Sequence, residues 1–141
     1  MSELNLVELI EKLTSSTKTN KLRWGKLSNL FNSSEISNFM LKNYVLLQER
    51  NFYNTNNYRS YYLEQYESYF AEIENGYVYI LKFKGNEKYY YILAVQSHKD
   101  SSIAELNRQQ ENQSKLIELA FIIEGQLDNH KEYINLLLKK L

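Results

Sequence analysis

Residues 69–84, YFAEIENGYVYILKFK, decide the fold. Aromatic and β-branched residues, which favour a pleated and half-buried surface, crowd both sides of Asn75-Gly76. An Asn-Gly pair supplies the positive φ angles of a type I′ turn, so the stretch predicts a β-hairpin. Gly85-Asn86 marks a second turn, and KYYYILAVQ at 88–96 continues as a third strand. The sequence therefore predicts a three-stranded antiparallel meander over residues 69–96. A turn at Asp100-Ser101 introduces a weaker fourth strand around Ile103–Leu106.

Side chains alternate across a strand, so the hairpin also predicts two faces. One carries Tyr69, Ala71, Ile73, Val78, Ile80, Tyr91, Leu93 and Val95. The other carries Phe70, Tyr79, Leu81, Phe83, Tyr90 and Ile92, together with Glu72 and Glu74. Both are largely apolar, whereas a solvated antiparallel sheet shows one polar face. Each side must be covered, either by helices or by a second subunit.

Upstream, Leu6, Leu9, Ile10 and Leu13 predict an amphipathic helix over 3–14 with Ser2 as its cap. The polar run from Thr14 to Asn20 is expected to end it, and Leu22-Arg23-Trp24 to form a short strand with Leu22 and Trp24 inward. Ser33 or Ser34 can cap a second helix near 34–50, with a stripe of Ile36, Phe39, Met40, Tyr44 and Leu47, and Arg50 at its C-terminal end. Residues 51–58 read as a loop, and 59–67 lean towards helix.

Downstream, Gln110 to Leu141 is strongly helical in propensity. Leu116, Ala120, Ile123, Leu127, His130, Ile134, Leu137 and Leu141 recur at alternating spacings of four and three, the pattern of a coiled-coil seam with one polar member. Ile117, Leu119, Phe121, Ile122, Leu136 and Leu138 widen the stripe. One continuous helix would span about 46 Å, against roughly 35 Å for a compact domain of this size. The competing reading breaks the helix near Gly125, with Asp128 or Asn129 capping a second one into a helical hairpin. In either form the apolar surface exceeds what the sheet needs for cover. A homodimer through this segment, with the eight seam residues as its interface, is the economical expectation.

Composition removes most other functions. The chain has 141 residues, no cysteine and two histidines, which excludes disulfides, thiolate nucleophiles and cysteine-based metal sites and leaves no cofactor expected. Lysine plus arginine and aspartate plus glutamate both number 17, so the basic excess of a duplex-binding domain is missing. No run approaches ~20 apolar residues, and MSELNLVELIEKL lacks a signal-peptide pattern, so a cytoplasmic protein off the membrane is expected. Thirteen tyrosines, no proline and abundant Asn, Lys and Ile fit an AT-rich genome, bacterial or phage.

No residue set specifies a reaction. His98, Lys99 and Asp100 follow the third strand, yet they read more simply as a solvated turn than as a general base. Glu72 and Glu74 could hold a hard cation, but cross-strand pairing with Tyr77, Tyr79 or Lys82 is the plainer assignment. Tyr79, Tyr90, Glu72 and Arg59 are the candidate contacts if the tyrosine-rich face binds a small ligand or a single-stranded nucleic acid by stacking. The leading expectation is an α+β domain over 1–141, not an enzyme, that binds itself and an unidentified protein partner.

Overall fold

The computed structural model describes residues 5–31, 38–53, 61–85, 87–98, 100–108, 110–128 and 130–141. The meander is its centre: β3 (Tyr69–Ile73), β4 (Gly76–Lys84) and β5 (Tyr89–Gln96) pair antiparallel, and β6 (Ala104–Glu105) adds to β5. Two short strands join the other side. β1 (Gly25–Lys26) pairs with β3, while β2 (Tyr62–Leu63) pairs with the far end of β4, beyond a single 3-10 turn at Gln65–Glu67. In the described part of the expected helix at 59–67, Tyr62–Leu63 is strand and only Gln65–Glu67 is helical. The sheet order is β1-β3-β4-β5-β6, with β2 on β4, and the class is α+β.

The first hairpin turns one residue earlier than expected. Ile73 pairs with Gly76, so the loop is Glu74-Asn75, and Glu74 takes the positive φ of 56°. Gly76 belongs to the strand for another reason. A Cβ there would lie 2.5 Å from the Gln96 carbonyl oxygen and 2.8 Å from that of Ser97. Relative to the expected turn, the register moves by two residues, an even number, so both faces keep their members.

Those faces are covered from within the chain. Helix α1 (Leu6–Lys18) and helix α4 (Gln113–Leu127) pack Ile10, Leu13, Leu116, Leu119, Ala120 and Ile123 onto Tyr69, Ala71, Ile80, Tyr91 and Leu93. On the opposite side, α2 (Leu27–Phe31) and α3 (Asn38–Tyr53) bring Leu27, Leu41 and Val45 onto Tyr79, Leu81, Phe83, Tyr90 and Ile92. A second subunit is not needed to cover the sheet.

Three local expectations are corrected by packing. Helix α1 starts after Asn5, whose side chain accepts the Glu8 N–H at 3.0 Å, and Ser2 lies outside the described residues. It also runs through the polar stretch to Lys18, with Thr14 and Thr17 donating their hydroxyls to the carbonyls of Ile10 and Leu13 one turn back. The Thr17 hydroxyl, buried, accepts the Trp24 indole N–H at 2.9 Å. Leu22 and Trp24 do pack inward, but they sit in a loop held by Gln126, which accepts the Trp24 N–H and donates to the Leu22 carbonyl. In α3 the buried pair is Leu41 and Val45, while Phe39 and Leu47 face solvent. Nearly every position from 39 to 47 is apolar, so the sequence admits two stripes. Aliphatic Leu41 and Val45, one turn apart, are the pair that meets the tyrosine-rich sheet face. Ser33, Ser34, Ile36 and most of 51–58 lie outside the described residues.

The free edge of β5 is closed by side-chain amides. Asn107 accepts the Leu93 N–H at 2.7 Å and donates to the Tyr91 carbonyl at 3.1 Å. Gln113 does the same for Tyr91, accepting its N–H at 2.7 Å and donating to its carbonyl at 2.8 Å. Both fill hydrogen-bonding positions that an edge strand would otherwise offer to another chain.

Candidate interaction surface

The predicted C-terminal seam divides at Asp128. Helix α4 ends at Leu127, Asp128 is extended at φ −74° and ψ 114°, and helix α5 runs from His130 to Lys140. The long continuous helix is thus replaced by two, and the break falls three residues beyond Gly125, which stays inside α4. The Asp128 carboxylate accepts the backbone N–H of His130 at 2.9 Å, the capping role foreseen for it.

The division separates the eight seam residues by environment. Leu116, Ala120 and Ile123 are buried against α1 and the sheet, and Leu127 packs half-buried beside them. The first three belong to the chain's own core and are closed to another molecule while it is folded, whereas Leu127 stays partly exposed. On α5, by contrast, Ile134 is 53% exposed and Leu137 36%, and Leu141 just beyond it is fully exposed. Leu138 adds to that face, while Tyr133 and Leu136 are exposed on other sides of the helix. His130 is exposed, with its Nδ1 2.9 Å from an Asp128 carboxylate oxygen, so it is engaged at the helix start. Helix α4 carries a second stripe on its outward side: Ile117 and Phe121, one turn apart, with Phe121 78% exposed. Both residues widened the seam in the sequence, but its single period could not reveal that α4 presents two stripes in opposite directions. Beside them, at the α4–α5 junction, lies an open groove of about 620 Å³ lined by Lys26, Phe121, Glu124, Leu127, Asp128 and His130.

The residues nominated for small-ligand or nucleic-acid binding are not gathered in one place. Tyr79 and Tyr90 are 1% and 4% exposed beneath α2 and α3, so neither ring offers a face to a base. Burial raises both phenols well above the usual tyrosine range. Arg59 lies outside the described residues. Glu72 and Glu74 line a cleft of about 420 Å³ between α1 and the β3–β4 turn, with Lys12, Lys21 and Ser16. His98 lies beyond the end of β5, and β4 separates that strand from Glu72 on β3. Two strand spacings put them roughly 10 Å apart in the sheet direction. Its N–H and carbonyl form a tight turn with Ser101. Lys99 is outside the described residues, and no group of three potential metal ligands exists among the described ones.

A charged cluster on the sheet neutralises itself. Lys84 Nζ lies 2.7 Å from Glu67 and 3.9 Å from Glu64, and Lys82 Nζ lies 3.3 Å from Glu67. Lys82 is also 4.4 Å from the Tyr89 ring centre, in cation–π geometry. Tyr69 donates to the Glu124 carboxylate, which ties β3 to α4. The Tyr91 phenol is pushed up to about 12, mainly by burial. The hydrogen bond from Lys84, followed by that from Lys82, holds the Glu67 carboxyl below the ordinary glutamate range. A lowered folded-state value stabilises above the unfolded value and is lost as pH falls through the folded one. Glu67→Gln is accordingly expected to cost under about 1 kcal/mol near neutrality, because Glu67 and Lys84 are both partly exposed to screening solvent. In paired thermal melts the gap from the natural protein should close as pH is lowered past that range. A gap that persists at low pH would locate the effect elsewhere.

Among the described residues no helix is long and apolar enough to cross a membrane. Compared with family models, with curated proteins and with solved structures, the chain matches none.

Proposed function

We propose that this chain is a non-catalytic binding protein that acts through protein–protein contacts and associates with itself through its C-terminal helix. The observation that carries the reading is α5. It has 11 residues, and every described side chain along it is exposed, Ile134, Leu136, Leu137 and Leu138 included. Isolated helices shorter than about 12–15 residues are marginal in water, and helices in proteins depend on packing an apolar face. A helix whose described apolar side chains find no cover among the described residues of its chain gains stability from a surface outside it. Contiguous exposed apolar patches of this kind mark interaction sites. A formal net charge of zero leaves no long-range repulsion between copies, and closed two-fold pairs are the commonest assemblies.

Sedimentation velocity over a range of concentrations tests this directly. The natural chain should sediment as a dimer that dissociates on dilution, and Leu137→Asp should shift it to monomer at every concentration. A natural chain that remains monomeric at high concentration overturns the reading.

A further inference from the structure

Two apolar stripes in the C-terminal region lie exposed. One is the outward stripe of α4, Ile117 and Phe121; the other is the face of α5 built from Ile134, Leu137, Leu138 and Leu141. Counted outwards from the connection at 128–129, Phe121 falls level with Leu136 and Glu118 with Lys139. An antiparallel α4–α5 pair would therefore bring Leu137 within one residue of the level of Phe121, Leu141 within one residue of that of Ile117, and Lys139 and Lys140 beside Glu118. Within one copy that pair is not made: Asp128 is extended, Phe121 stays 78% exposed, and α5 buries none of its described side chains.

We propose that α5 of one copy lies antiparallel along the outward face of α4 in a second copy, and reciprocally, as an exchange of helices about a two-fold axis. This rests on the self-association proposed above and names its geometry. The connection between the helices is two residues long, and short hinges favour exchange over closure. A standard interface buries about 800 Å² per partner; the exchange would draw it from Phe121, Leu138 and Leu141, the most exposed members of the two stripes, with Ile117, Ile134 and Leu137 beside them.

The chain has no cysteine, so introduced thiols are unique reporters. The variant Glu118→Cys/Lys140→Cys leaves both apolar stripes intact and changes only exposed polar positions. Under mild oxidation it should yield a species of twice the monomer mass on a non-reducing gel, while neither single variant does. An intrachain disulfide, seen as a monomer without free thiols, overturns the proposal in favour of a closed hairpin. Dimers from Lys140→Cys alone, with none specific to the double variant, overturn the exchange in favour of α5 pairing with α5 and leave self-association standing. If the double variant gives no link and the natural chain sediments as a monomer, both proposals fail.

Discussion

Gly76→Ala is expected to destabilise the chain by about 2–3 kcal/mol, whereas the same change at Gly125 should be neutral or stabilising. At Gly76 the added methyl would sit 2.5 Å and 2.8 Å from the carbonyl oxygens of Gln96 and Ser97. Those are backbone atoms, and Gln96 is itself fixed on both sides. Its residue pairs with Tyr77 across β4–β5, and its buried side chain accepts the Tyr79 hydroxyl at 2.8 Å and donates to the Ser101 carbonyl at 3.0 Å. Relief must therefore come from separating β4 and β5 at the centre of the sheet, and overpacking of this kind typically costs ~1–3 kcal/mol. At Gly125 a Cβ meets nothing within 4 Å. The residue lies inside α4, where glycine costs about 1 kcal/mol relative to alanine. Thermal melts of the two variants should move in opposite directions, with a fall of roughly 10 °C for Gly76→Ala. Equal shifts would mean that Gly76 serves the turn rather than the contact with β5.

Much of the architecture can be read without coordinates because the hairpin is specified redundantly. Residue type, alternation and the Asn75-Gly76 signal all point to the same two strands, and an even shift of register cannot exchange their faces. The misreadings arise where one pattern supports two packings. In α3, apolar residues at 39, 40, 41, 44, 45, 46 and 47 fit several helical stripes, and only the tyrosine-rich sheet face selects Leu41 and Val45. Thr14 to Thr17 look like a helix terminator, yet Trp24, seven residues on from Thr17, gives that hydroxyl a buried donor. The C-terminal seam repeats evenly across a boundary at which Asp128 turns extended. Spacing records which residues want cover; it does not record whether the cover is the sheet, α1 or another molecule. For the same reason Tyr79 and Tyr90 could be nominated as a stacking face although α2 and α3 occupy it.

That ambiguity makes two aspartates, eleven residues apart on one heptad pattern, the most decisive pair of substitutions. Ile123→Asp should abolish folding, and Ile134→Asp should leave the fold intact while removing association. Ile123 is fully buried among Leu116, Leu119, Leu93 and Tyr91. A carboxylate there loses its hydration and a large aliphatic contact at once, at a combined cost of more than about 4–5 kcal/mol. Since domains are stable by ~5–15 kcal/mol, most or all of the margin goes. The single tryptophan, Trp24, is buried in the same cluster and reports the loss as a red-shifted, quenchable fluorescence. Ile134 is 53% exposed on α5, so a charge there meets water in the folded monomer and should shift its stability by no more than about 0.5 kcal/mol. In a two-fold pair the position occurs twice. Burial of an isoleucine gives about 1.5–3 kcal/mol, so losing two weakens the dimer by at least 100-fold. The melting temperature of the natural chain should then rise with concentration, as it must when association favours the folded state, and that of Ile134→Asp should not. An Ile134→Asp protein that unfolds like Ile123→Asp would show that α5 is part of the monomer's own core.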